Sequence, residues 1–118
     1  MKITVTQEAD VTDIWAEVFG SGWETCPWWK SVKYHDGAAW DKPGRVTLWI
    51  DSPEGEEEAI LEAEVTPESF CAALESVIRQ GYRDACTGEI IRLDDFLWDS
   101  CSGDVVLQMA VLGEIVYG

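Results

Sequence analysis

Seven carboxylates and no base stand in the stretch DSPEGEEEAILEAEV, Asp51 to Val65. Acidic side chains gathered in this way do acid–base chemistry, hold cations or recognise positive surfaces. Acid–base work needs carboxylates in a pocket, each in a different environment. These acids read instead as an open row on a strand, with no pocket to give them different environments. A calcium loop needs ligands at alternating positions, and DSPEGEEE lacks that alternation. Recognition is the use that remains.

Nucleophiles fare no better. Cys26 precedes His35 by nine residues, with no third group to orient the pair. The glycine pairs in GSG and TG are too short for a phosphate loop. Cysteines at 26, 71, 86 and 101 form no Cys-x-x-Cys pair, and His35 is the one histidine, which is poor material for zinc. The expectation is a protein that is not an enzyme, with no cofactor and no metal. MKITVTQEAD is too polar for a signal peptide and no apolar run spans a bilayer. Free thiols in a reducing cytoplasm are therefore expected.

The elements that would place the acids follow from periodicity. KITVT alternates as a strand. Val11, Ile14, Trp15 and Val18 then recur at helical spacing within EADVTDIWAEVFG, with Asp10, Asp13 and Glu17 on the opposite face and Gly20 as a left-handed stop. WWKSVKYH, RVTLWID and EEEAILEAEV read as three strands. Asp36-Gly37 ends the first, and Ser52-Pro53-Glu54-Gly55 turns between the other two. Thr66-Pro67 opens a helix with Phe70, Leu74, Val77 and Ile78 as its buried stripe, and Gly81 closes it. LDDFLWDSC reads as a short helix, and SGDVVLQMAVLG as a final helix, apolar nearly all round and central to the core. Residues 1–118 thus form a single α+β domain: strand, helix, three strands, helices. Its sheet is mostly antiparallel, of three to four strands, with helices on one face.

Pairing RVTLWID with EEEAILEAEV separates two faces. Val46, Leu48 and Ile50 join Ala59, Leu61 and Ala63 on an apolar one. The other takes Glu56, Glu58, Ile60, Glu62 and Glu64 beside Arg45, Thr47, Trp49 and Asp51, with Arg45 and Glu64 able to pair. Carboxylates on one strand face repeat every ~7 Å. A solvated, aggregation-resistant edge explains part of this. Yet Glu is a poor strand former, and a Trp ringed by charge suits a binding anchor. The residues expected to meet a partner are Trp49, Asp51, Glu54, Glu56, Glu57, Glu58, Glu62 and Glu64.

The whole chain agrees with that choice. Its formal charge of −15, from 23 acids against 8 bases, disfavours nucleic acid and anionic membrane as direct partners and favours a basic protein. Spaced carboxylates imitate a phosphate backbone, so a basic nucleic-acid-binding protein is the expected target. An alternative use lies in the aromatics. Trp28 is in phase with Val32 and Tyr34 for the core, whereas Trp29 would adjoin Trp49 and stack a base. Lys30, Lys33, Arg45, Arg79 or Arg83 would then grip phosphate, making the domain a sponge for a small nucleotide signal. The plainer reading of these rings is that a further helix or a second subunit covers them, the latter making a homodimer.

The C-terminal SGDVVLQMAVLGEIVYG resembles the ending of a group of short tailed-bacteriophage proteins without assigned function. The matching positions are Gly103, Asp104, Val105, Leu107, Gln108, Gly113, Glu114, Tyr117 and Gly118. VFGSGWETCPWW is similar, more loosely, to that group's helix–glycine–aromatic segment. The resemblance implies an early or accessory phage gene. Together with the acidic surface it implies a counter-defence inhibitor of the anti-CRISPR or anti-restriction kind; a virion accessory role is the remaining option.

Overall fold

A computed structural model describes residues 1–4, 8–20, 28–51, 60–84, 86–93, 96 and 98–115. The elements run β1 (Lys2–Thr4), β2 (Glu8–Asp10), α1 (Thr12–Phe19), β3 (Trp29–Tyr34), β4 (Val46–Asp51), β5 (Ile60–Val65), α2 (Pro67–Gln80) and α3 (Ser100–Leu112). The domain is α+β, with a three-stranded antiparallel sheet in the order β3-β4-β5. One core joins the sheet to all three helices, through Trp15, Trp28, Leu48, Ile50, Phe70, Leu74, Val106 and Leu107.

The first strand takes no part in that sheet. β1 and β2 form a separate antiparallel ribbon, Lys2 opposite Asp10. The residues from Glu8 to Asp10 are thus extended rather than helical. Asp10 accepts hydrogen bonds from the Thr12 backbone N–H at 2.9 Å and the Thr12 hydroxyl at 2.6 Å, so its carboxylate ends the strand and launches α1. The same two bonds hold its pKa below the ordinary carboxylate value.

Helix α2 follows its local signals at both ends. The Thr66 hydroxyl accepts from Ser69 N–H, the Ser69 hydroxyl accepts from Thr66 N–H, and Gly81 adopts φ 72° at the stop. Helix α3 begins earlier than the sequence suggested. Asp99 caps it through Ser102, and the described residues of the preceding segment, 93, 96, 98 and 99, are not helical, against the short helix expected there. Inside α3, Val106, Leu107 and Gln108 are fully buried. Gln108 donates to Asp104 Oδ2 at 2.9 Å, and the Trp28 indole N–H donates to Asp104 Oδ1. A buried polar pair is thereby satisfied.

Gly20 has φ −97°, so the left-handed stop expected there is absent. A Cβ at this position would stand 2.9 Å from the Trp40 ring and 2.7 Å from the Ala16 carbonyl. Close approach, and not backbone handedness, is what the glycine allows.

Candidate functional site

The β4–β5 register sets Trp49 opposite Glu62, Thr47 opposite Glu64, and Asp51 opposite Ile60. Opposed residues share a face, so each face has the membership expected from alternation, but exposure departs from it at two positions: Leu61 on the apolar side is 43% exposed, and Thr47 on the acidic side is buried. Val46, Leu48 and Ile50 are buried, Glu62 and Glu64 are exposed, and Trp49 and Asp51 are half-buried. Glu54, Glu56, Glu57 and Glu58 lie outside the described residues, as does the Trp29 side chain.

Bases temper the acids on this face. Lys30 pairs with Asp51 at 3.3 Å, and Arg45 lies 3.8 Å from Glu64 and 3.6 Å from Asp36. A β-bulge between Trp29 and Ser31 interrupts the β3 ladder at Lys30. Among the described residues, Glu62 is the acid of this face without an ion pair. Exposed pairs of this kind add little stability. They do concentrate the outward negative potential on β5.

A second acidic and aromatic site appears where periodicity gave no signal. Ala16, Glu17, Gly20, Trp40, Trp98 and Asp99 line a cleft of about 430 Å³. Trp40 sits at the tip of a tight turn closed by reciprocal Ala39–Lys42 backbone bonds at 3.0 and 3.1 Å. The Trp15 indole N–H donates to Ala39 O at 3.0 Å and ties that turn to α1. Gly20 leaves room for the Trp40 ring, which is 53% exposed. Trp98 packs edge-on against Phe96, and its indole nitrogen is buried with no hydrogen-bond partner. Two indoles beside two carboxylates make a receptor for a cationic side chain.

Behind Asp99 the chain repeats itself. Asp84-x-Cys86-Thr87-Gly88 and Asp99-x-Cys101-Ser102-Gly103 share the pattern Asp-x-Cys-Ser/Thr-Gly. Asp84 Oδ1 accepts from the N–H groups of Cys86 at 2.7 Å and Thr87 at 3.2 Å, much as Asp99 Oδ1 accepts from Ser102 at 2.9 Å. The fold sets these turns together, and Cys86 is disulfide-bonded to Cys101 with Cα atoms 6.1 Å apart. This corrects the expectation of free thiols for that pair. An argument from cellular compartment says nothing of two sulfurs brought together by tertiary packing. Cys71 is free, with its thiol pKa raised by burial, and Cys26 lies outside the described residues.

Asp84 is 1% exposed and its Oδ2 meets no donor. Burial, reinforced by the neighbouring Asp99, pushes its pKa up. Burial also opposes ionisation of Asp99, but hydrogen bonds from Asp84 and from Ser102 outweigh it and hold that carboxyl low. Of the two carboxyls, Asp84 releases its proton at the higher pH. Its folded pKa exceeds its unfolded one, so its contribution falls as pH rises from about 3.8 through the raised value. Asp99 acts oppositely, stabilising above about 3.8 and losing that effect as pH falls through its lowered value. Asp84→Asn keeps both accepted bonds and donates permanently to Asp99. In chelator-treated, disulfide-bonded protein it should therefore gain about 1–3 kcal/mol over the parent. Urea titrations should show that gain growing with pH across Asp84's window and then levelling.

No protein-family model, curated protein or solved structure matches this chain. Several positions of the C-terminal segment act structurally where described. Gly103 is buried, Gln108 and the Trp28 indole both donate to the Asp104 carboxylate, and Gly113 ends α3 at φ 75°. No described helix is long and apolar enough to cross a membrane.

Proposed function

We propose that the chain is a non-enzymatic binding protein that disables a basic, nucleic-acid-binding host factor, as a phage-borne anti-CRISPR or anti-restriction inhibitor would in the bacterial cytoplasm. What supports the reading is the setting of carboxylates beside surface indoles. In the cleft these are Trp40 and Trp98 with Glu17 and Asp99; on the sheet they are Trp49 with Glu62. A lysine or arginine from a partner gains a ring face and an opposite charge at either place. The net charge of −15 draws such a surface in from a distance. The nucleotide-sponge reading has less to stand on. Lys30, Arg45 and Arg79 are paired with acids, and Arg83 donates to the Gly88 carbonyl.

The test is capture from bacterial lysate by the immobilised domain. A basic protein should be retained at low salt and released as salt rises. Retention should be lost in Glu17→Lys with Trp40→Ala if the cleft carries the contact, or in Glu62→Lys with Glu64→Lys if the sheet does. Glu17, Glu62 and Glu64 are exposed, so their reversal should change stability by no more than about 0.5 kcal/mol. Trp40→Ala also loses the packing of its ring over Gly20, and circular dichroism checks that this variant stays folded. Undiminished capture by both variants, or a co-purified nucleotide and no protein, would remove the proposal.

A further inference from the structure

We propose that, once its two sulfurs are reduced, the Asp84–Cys86–Cys101 cluster binds one thiophilic divalent cation of the zinc class, with the adjoining Asp99 completing the set. The ligand atoms of Asp84, Cys86 and Cys101 lie within 4.8 Å of one another. Around tetrahedral zinc, with Zn–S near 2.3 Å, neighbouring sulfurs stand about 3.8 Å apart. Opening the disulfide therefore needs only a modest separation of the two side chains.

The independent sign is Asp84. A carboxyl 1% exposed, with one oxygen lacking any donor and a second carboxyl beside it, is costly to hold without a proton or a metal ion. A divalent cation answers both carboxylates at once. Two thiolates choose the metal class, since calcium and magnesium prefer sites built of oxygen alone. The matched Asp-x-Cys turns supply one sulfur and one carboxylate each, from either side.

The chemistry balances simply. The Cys86–Cys101 bond takes two electrons and two protons from a dithiol reductant, which becomes a disulfide itself. The cation then displaces the two thiol protons, and any proton held by the Asp84 carboxyl, into solvent. Sulfur–sulfur and sulfur–metal bonding exclude each other, so oxidation ejects the ion.

The probe is cobalt(II), titrated into protein reduced with a phosphine and freed of metal. One equivalent should produce thiolate-to-cobalt charge-transfer absorption and the visible bands of a tetrahedral ion, bleached by added zinc. Oxidised protein should give neither. Asp84→Asn and Cys86→Ser should each weaken binding by at least about tenfold, whereas Cys71→Ser should bind as the parent does. Because Cys86→Ser can also disturb folding, Asp84→Asn, checked by circular dichroism, is the deciding variant. Absence of thiolate absorption, equal binding before and after reduction, or unchanged affinity in Asp84→Asn overturns the site.

Discussion

Trp15→Ala is expected to lower the free energy of unfolding by about 3–5 kcal/mol, a large share of the 5–15 kcal/mol typical of a domain. Trp15 is fully buried, with ring centroids 4.5 Å from Phe19 and 5.1 Å from Phe70. Its removal opens a cavity where α1 meets α2. It also frees the Ala39 turn that carries Trp40. Trp15→Phe separates the two effects. The phenyl ring keeps most of the packing, and the Ala39 carbonyl keeps the Lys42 N–H as a donor. That variant should lose about 1 kcal/mol for the hydrogen bond, plus a smaller packing term. Urea titrations followed by circular dichroism measure both. A loss below 1 kcal/mol in Trp15→Ala contradicts the packing described.

Reduction of Cys86–Cys101 should cost about 3 kcal/mol, the loop-closure value for a 15-residue separation. The bond ties the turn after α2 to the first turn of α3, so its loss frees the segment that holds Asp84, Phe96 and Trp98. Hydrogen exchange should rise there before it rises in β4. A Cys86→Ser, Cys101→Ser double variant should be insensitive to reductant and resemble the reduced parent. If the reduced site takes zinc, added metal restores about 2.7 kcal/mol at a hundredfold excess over Kd. The double variant should gain nothing from it.

What the sequence made legible was local. Thr66-Pro67 and Gly81 announce α2 because a cap and a left-handed stop are settled within a few residues. Alternation in RVTLWID and ILEAEV assigns faces because a strand has period two. The opening acids misled because Asp10, Asp13 and Glu17 recur at helical spacing, although Asp10 is the last residue of β2. The disulfide, the cleft and the purpose of Gly20 were hidden for one shared reason. Each depends on residues far apart in the chain: Cys86 with Cys101, Trp40 with Gly20, Asp99 with Glu17. The repeated Asp-x-Cys-Ser/Thr-Gly was a signal in plain view, legible once the two copies are compared. On the sheet, alternation placed Glu62 and Glu64 correctly but could not show that Lys30 would reach Asp51 across a bulge.

The hydrogen bond from Trp28 to Asp104 spans 76 residues, and Arg79 donates to the Thr4 carbonyl across 75. During synthesis, then, the early strands and α1 emerge long before α3 exists to cover them. At a translation rate of about 5–20 residues per second, the growing chain shows water its bare indoles for several seconds. Until its last helix leaves the ribosome, the nascent chain lacks the surface that covers Trp28 in the finished fold.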